Sequence, residues 1–214
     1  MNEREIWIAG LHLSDRRLTH TFGVEKAALA IAARHFPALS EAEVSAAALL
    51  HDWTKELTER EQLDLCADLG IELGPQERRC IKVLHGWTAA ALAKREYGLP
   101  PAVCDAIRWH STLRAGCAPL DAVLFLADFI EENRRSLACV RCREYYEGLW
   151  RCGDTDALEK ALVFGLDAVI RENLEEGNLI LKDTLESRNA ILYTLLQKAD
   201  RPEAAAVRKG GIPI

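Results

Sequence analysis

The stretch AALLHDWTKEL, residues 47–57, places an adjacent His–Asp pair at the end of an apolar run. The run begins at Ala46 and ends at Leu50, directly before His51 and Asp52, and we expect it to be a buried helix. An imidazole and a carboxylate are costly to bury unless their polar atoms find partners. The remainder of the sequence must therefore supply those partners.

Apolar residues recur at helical spacing along almost the whole chain, and no long run of alternating β-branched residues interrupts them. This pattern predicts an all-α protein. We expect a single-domain helical bundle over residues 1–208 and a flexible tail at 209–214. The predicted helices are 3–11, 15–35, 41–52, 58–69, 75–97, 100–110, 119–131, 138–150, 154–176 and 183–207.

The composition excludes several classes of protein. The 214 residues are 49% hydrophobic and 28% charged, which supports a folded core. The formal charge of -6 argues against binding of long DNA or RNA, which requires an excess of basic residues. A local cluster of Lys and Arg can still hold a small phosphate ligand. The apolar runs are shorter than the roughly 20 residues that a membrane helix needs.

The cysteines favour a reducing compartment. There are seven, an odd number, and they lie in helical patterns rather than in the loops of a stapled secreted protein. Together with an N-terminal segment that lacks a secretory signal pattern, they predict a cytoplasmic protein. Cys139 and Cys142 form a C-x-x-C pair with Cys152 further on, so a zinc or redox site remains an open alternative there.

Four of the six histidines fall on the apolar side of predicted helices. They are His20, His51, His85 and His110. Asp128 lies in a similar setting inside an apolar run, where a cation would remove the cost of burying its charge. Four imidazoles and the carboxylates of Asp52 and Asp128, on separate inward-facing helices, can hold one or two metal ions.

Each of these groups also has an ordinary structural interpretation. A core histidine commonly bonds a main-chain carbonyl, and a buried aspartate commonly pairs with an arginine. Periodicity by itself leaves metal binding and these structural roles equally open. The other histidines, His12 and His35, lack an apolar setting and are interpreted as surface or capping residues.

The order His20, His51–Asp52, His85, His110, Asp128 resembles the HD-domain superfamily of metal-dependent phosphohydrolases. Six segments narrow the resemblance to its YqeK-type family, the symmetrical bis(5'-nucleosyl)-tetraphosphatases. They occur in order over most of the chain. The segments are RLTHTFGV (17–24), AALLHDWTKEL (47–57), LHGWTAA (84–90), IRWHST (107–112), LFLADFIEENR (124–134) and LILKDTLESRN (179–189).

The resemblance implies an HD-type helical bundle that holds two divalent metal ions, with iron preferred over manganese or another transition metal. It implies that Asp52 bridges the ions, that His20, His51 and Asp128 complete one, and that His85 and His110 complete the other. The implied reaction is hydrolysis of diadenosine tetraphosphate into two ADP by a hydroxide that the metals activate. The expected partner is thus a small dinucleoside polyphosphate or nucleotide.

Three more residues are candidates for substrate binding. Lys55 follows Asp52 by three residues and matches the family's H-D-x-x-K segment, so its ammonium is a catalytic and phosphate-binding candidate. By the same resemblance, the Thr112 hydroxyl and the Arg134 guanidinium are candidate phosphate ligands. A solvated lysine, a turn-capping threonine and a surface arginine are the alternatives.

Two segments depart from the family pattern. Ser111-Thr112-Leu113 replaces Thr-Thr-Gly, and Glu132-Asn133 stands where the family often has Pro or Gly. With Leu113 in place of a glycine, the backbone cannot approach a phosphate closely there. The sequence therefore predicts metal binding more firmly than it predicts the identity of the substrate. Other nucleotide phosphatases, cyclic-dinucleotide phosphodiesterases and non-catalytic nucleotide or metal sensors remain alternatives, and the oligomeric state is open.

Overall fold

The structure is a computed structural model that describes residues 2–200, and within that range it contains ten α-helices and no β-strand. The all-α prediction is confirmed. The helices are α1 (Glu3–Gly10), α2 (Asp15–His35), α3 (Glu41–Leu50), α4 (Glu59–Asp68), α5 (Leu84–Tyr97), α6 (Pro101–Trp109), α7 (Pro119–Ile130), α8 (Leu137–Arg151), α9 (Ala157–Glu175) and α10 (Lys182–Ala199). The predicted tail at 209–214 lies outside the described residues.

Helices α2, α3, α6 and α7 surround the main hydrophobic core. Helix α2 packs against α3 and α7, while α6 packs against α5 and α7. Val24, Leu49, Ile107 and Leu126 from these four helices are completely buried. Burying each such side chain contributes about 1.5–3 kcal/mol to the stability of the fold. This packing fixes the positions of the four helices relative to one another. None of the helices within residues 2–200 is long and apolar enough to cross a membrane.

Helix α3 ends at Leu50 rather than at residue 52. The following residues form tight turns, in which the Lys55 N–H donates to the Asp52 carbonyl at 2.9 Å. The buried Thr54 hydroxyl donates to the His85 carbonyl at 3.0 Å and so anchors the turn to α5. The turn thereby places Lys55 Nζ 4.0 Å from Asp52 Oδ1.

The prediction of one helix over 75–97 is wrong for its first nine residues. These contain two 3-10 turns, Glu77–Arg79 and Ile81–Val83, and the backbone leaves the helical region between them at Cys80. The basic side chains of this segment are exposed, so it has no apolar stripe to bury and tertiary packing does not stabilise a helix. Helix α5 starts at Leu84, which is completely buried.

Candidate metal centre

The structure brings all six predicted metal ligands together at the centre of the bundle. His20 lies on α2, His85 in the first turn of α5 and Asp128 on α7. His51, Asp52 and His110 directly follow α3 and α6. Three overlapping groups have ligand atoms within 4.8 Å of one another: His20, His51 and Asp52; His51, His110 and Asp128; Asp52, His85 and His110.

Main-chain carbonyls orient three of the imidazole rings. In each case Nδ1 lies beside the carbonyl oxygen of the residue three positions earlier, and because a carbonyl only accepts, Nδ1 must carry the proton. Each Nε2 therefore presents a lone pair to the cluster, as a metal ligand requires. The Nδ1–O distances are 2.7 Å from His51 to Ala48, 2.6 Å from His85 to Lys82 and 2.7 Å from His110 to Ile107.

A buried carboxylate orients the fourth ring. His20 Nδ1 lies 3.1 Å from Glu131 Oε1, and Glu131 is 1% exposed at the end of α7. The other carboxylate oxygen of Glu131 accepts from the Asn133 N–H at 2.7 Å. Glu131 thus fixes the His20 ring with Nε2 directed at the cluster, an arrangement common around protein-bound metals.

The two carboxylate oxygens of Asp52 face different pairs of histidines. Oδ2 lies 3.5 Å from His20 Nε2 and 3.4 Å from His51 Nε2. Oδ1 lies 3.1 Å from His85 Nε2 and 3.7 Å from His110 Nε2. Asp52 therefore lies between two half-sites, and each half-site receives one of its oxygens.

The Asp128 carboxylate lies beside His20 and His51. Its Oδ1 lies 3.1 Å from His20 Nε2 and 3.8 Å from His51 Nε2. Arg134 donates to the same oxygen at 2.5 Å, and Arg17 donates to Asp52 Oδ2 at 2.6 Å. Both carboxylates thus have a guanidinium neighbour in addition to the imidazoles.

The residues present fit a bound cation. The Nε2 atoms of His20 and His51 are buried and make no hydrogen bond within the part of the chain that the structure describes. The Nε2 atoms of His85 and His110 lie 2.9 Å apart with both lone pairs directed inward. Because unpaired buried polar atoms are costly, a cation held by the Nε2 atoms of His20 and His51 together with the carboxylates would remove an energetic penalty.

The protonation states of most of these groups favour metal binding. Burial raises the pKa of Asp52, but the neighbouring imidazoles, His51 foremost and then His20 and His85, outweigh it and hold this pKa well below its ordinary value. Burial and the adjacent His85 lower the pKa of His110 well below its ordinary value. Burial also lowers the pKa of His20, yet Asp128 and Asp52 outweigh it and raise this pKa to about 9. A metal ion held by His20 Nε2 would displace a proton from this ring.

The three substrate-binding candidates occupy different places around the cluster. Lys55 Nζ lies 3.1 Å from His85 Nε2 and 4.0 Å from Asp52 Oδ1. Arg134 contacts Asp128 as described above. Thr112 does not contact the cluster's ligands in this way but lines a cavity next to it.

Sequence reasoning missed three residues that contact the cluster: Arg17, Ser111 and Glu131. The hydroxyl of Ser111 lies 3.1 Å from His110 Nε2. Arg17 precedes His20 by three residues and Glu131 follows Asp128 by three. Arg17 and Glu131 could have been predicted from this spacing, because residues three apart lie on the same face of a helix.

Within the described residues, the other cysteine and histidine candidates belong to none of the three ligand groups. Burial raises the pKa of the Cys142 thiol to about 12, whereas zinc binding and redox chemistry need a thiolate. Cys152 is at the far end of α8, about 15 Å along the helix from Cys142 at 1.5 Å per residue. His12 is exposed, and His35 contacts the Tyr146 hydroxyl at 3.0 Å.

A helical bundle with a buried His/Asp cluster of this kind defines a class, the metal-dependent hydrolases of HD type. The family model named HD domain matches residues 17–133, and the chain belongs to this family. The resemblance found in the sequence is thereby confirmed.

Known relatives agree with this assignment. A protein of Halalkalibacterium halodurans named symmetrical bis(5'-nucleosyl)-tetraphosphatase is 30% identical over 184 residues, which cover 85% of this chain and 91% of the relative. One of the same name from Bacillus subtilis is 32% identical over 57% of this chain and 64% of its own. A solved HD superfamily hydrolase from Clostridium acetobutylicum, described as involved in NAD metabolism, has a TM-score of 0.79 at 26% identity and covers 91% of this chain and 99% of its own.

Proposed function

We propose that this protein hydrolyses diadenosine tetraphosphate symmetrically into two molecules of ADP. The observation that carries the proposal is the division of the Asp52 carboxylate between two histidine pairs, which offers two adjacent metal positions that share one ligand. The name of the relatives from Halalkalibacterium halodurans and Bacillus subtilis supports this substrate. The reaction adds one water across the central phosphoanhydride.

The proposed cofactor is a pair of divalent transition-metal ions, with iron preferred and manganese next. His20, His51 and Asp128 would hold one ion, His85 and His110 would hold the other, and Asp52 would contribute a carboxylate oxygen to each. A mixed set of imidazoles and carboxylates suits these metals. When bound, the two ions supply Lewis acidity and lower the pKa of water.

Lys55 is the proposed phosphate-binding cation at the centre of the site. Its ammonium lies 4.0 Å from Asp52 Oδ1, so a phosphate that reaches the metal ligands also reaches Lys55. Burial lowers the pKa of Lys55, and the nearby Asp52 and Asp128 carboxylates oppose that change and favour the charged form. The ammonium then stabilises the negative charge that develops on the phosphate oxygens.

Arg134 and Thr112 are the proposed outer contacts to the polyphosphate. Arg134 uses Nε and Nη2 to bind the carbonyl and the carboxylate of Asp128, at 3.0 and 2.5 Å. A guanidinium has five N–H donors, so others remain for a phosphate. Thr112 lines the cavity that adjoins His85 and His110 through Ser111. A cytoplasmic location fits the seven free thiols.

Product analysis tests the proposed function. The protein is purified with iron in the absence of oxygen and incubated with diadenosine tetraphosphate, and the products are resolved by ion-exchange chromatography. The expected result is ADP alone, with no product from an Asp52→Ala variant. AMP with ATP would mean that a different phosphorus is attacked, and no turnover by metal-loaded protein would favour a sensor.

A further inference from the structure

The metal centre adjoins two cavities that are rich in basic side chains. The first, of about 420 Å³, lies beside His20 and is lined by Arg16, Arg17, Arg134 and Arg135. We call it the arginine cavity. The second, of about 370 Å³, is lined by Arg78, Arg79 and Lys82 and reaches Ser111 and Thr112. We call it the 78–82 cavity, and its presence in a chain of net charge -6 indicates a local preference for an anionic ligand.

The 78–82 cavity lies next to the half-site of His85 and His110. Ser111, on its wall, has its hydroxyl 3.1 Å from His110 Nε2 and 3.5 Å from His85 Nε2. Lys82, also on the wall, accepts the Nδ1 proton of His85 on its carbonyl at 2.6 Å. A single side chain, Ser111, therefore lines this cavity and also contacts both histidines of the half-site.

Two segments form the outer wall of the 78–82 cavity. One is the pair of 3-10 turns at 77–83, and the other is the connection between α9 and α10. A salt bridge of 3.1 Å between Lys82 Nζ and Glu176 Oε2 joins them. Leu179 on the second segment is 51% exposed, which leaves apolar surface at the cavity for the sugar or base of a nucleoside.

We propose that the 78–82 cavity binds one nucleoside diphosphate half of the substrate, while the arginine cavity receives the other half. This rests on the function proposed above and extends it. A substrate that ends at the cleaved phosphate needs basic groups on one side only, whereas a dinucleoside polyphosphate carries negative charge on both sides of the cleaved bond. The volume of about 370 Å³ is at the lower end for small-molecule sites and suits one half of such a substrate.

An equilibrium binding experiment tests the proposal. Metal-loaded wild type, an Arg78→Gln/Arg79→Gln double variant and an Arg60→Gln/Arg95→Gln control are dialysed against radiolabelled ADP. Arg60 and Arg95 are exposed on α4 and α5 and pair with Asp64 and Glu96, outside both cavities. We expect two ADP per chain for the wild type and the control, and one for the cavity variant.

Kinetics provide a second readout. The cavity variant is expected to raise KM for diadenosine tetraphosphate about tenfold, since it loses charged contacts to phosphate, and to keep kcat within about twofold. Binding of one ADP by the wild type, or unchanged stoichiometry and KM in the cavity variant, would overturn the two-cavity proposal. The wild type could instead bind two ADP, and the cavity variant one, without any hydrolysis of diadenosine tetraphosphate by the wild type. In that case the binding proposal stands and the proposed function fails.

Discussion

The Nε2 atoms of His85 and His110 lie 2.9 Å apart although neither can donate to the other. Each ring uses its Nδ1 proton for a main-chain carbonyl, at Lys82 and at Ile107. Two buried lone pairs therefore face the same point, where the Lys55 ammonium lies 3.1 Å from His85 Nε2 and the Ser111 hydroxyl lies 3.1 Å from His110 Nε2. This arrangement fits one half of the proposed metal site.

Metal removal should therefore destabilise the fold. A ligand that binds only the folded state at a thousand times its Kd contributes about 4 kcal/mol, and each kcal/mol shifts Tm by about 2–4 °C in a chain of this length. We expect EDTA to lower Tm by about 10 °C and added metal to restore it. Differential scanning calorimetry measures the shift, and Asp52→Asn protein should not respond. An unchanged Tm for wild type would contradict metal binding.

Glu131 should control metal affinity through His20. Glu131→Gln keeps the size of the side chain but removes the charge beside His20 Nδ1, which weakens the ring as a ligand. We expect metal affinity to fall about 10–100-fold, measured by competition with a fluorescent chelator. Glu132→Gln is the matched control, because Glu132 is exposed and pairs with Lys26. Equal affinities in the two variants would refute this role.

Lys55 should affect turnover without affecting metal content. Lys55→Met removes the ammonium near Asp52 and leaves the six ligands in place. We expect kcat to fall about 100-fold or more, as for the loss of other preorganised charges, with wild-type metal content by mass spectrometry. The exposed Lys94 of α5 gives the control Lys94→Met. A Lys55→Met enzyme with normal kcat would exclude a catalytic role.

His35 should contribute to the pH dependence of stability. Burial lowers the pKa of His35, and the charge of Arg34 adds to this while Glu159 opposes it. Between the unfolded-state pKa of about 6.5 and the lower folded-state pKa, the folded state binds fewer protons than the unfolded state. The free energy of unfolding therefore falls as the pH decreases through this window. The His35→Gln variant should lose less stability than wild type between pH 7.5 and 5.5 in urea unfolding. Parallel pH profiles would show that His35 does not contribute.

At position 113, glycine should be a less destabilising replacement than alanine, which is the reverse of the usual order. Its backbone is left-handed, with φ of 58°, and its side chain is completely buried. Removing the side chain costs about 2–5 kcal/mol, whereas glycine recovers the 1–2 kcal/mol that a left-handed backbone costs other residues. We expect Leu113→Ala to be about 1 kcal/mol less stable than Leu113→Gly, with both below wild type in urea unfolding. Greater stability of the alanine variant would refute backbone strain at this position.

Leu113 also shows how a departure from the family pattern is accommodated. The resemblance led us to expect a glycine at this position, and Leu113 adopts the left-handed conformation typical of glycine. The leucine side chain packs into the main core. The core packing of this side chain opposes the backbone strain, which a comparison of sequences alone does not reveal.

The segment 75–83 marks the limit of periodicity as a predictor. Its residues can be fitted to a helical pattern, but Arg78, Arg79 and Lys82 are exposed and leave no continuous apolar face. A helix of this length depends on tertiary packing for its stability. The resulting 3-10 turns form a wall of the 78–82 cavity, so the error in the helix prediction falls at a proposed binding surface.

The sequence by itself determined the all-α bundle and its six inward-facing ligand candidates. Apolar periodicity is a local property, and a histidine or aspartate within it is conspicuous because burial of a polar group is costly. Only the tertiary structure decided which atoms meet. Arg17 reaches Asp52 across 35 positions, and Glu131 reaches His20 across 111. The division of the Asp52 oxygens between two histidine pairs depends on four helices meeting at one point, and this long-range packing is not encoded in any local pattern.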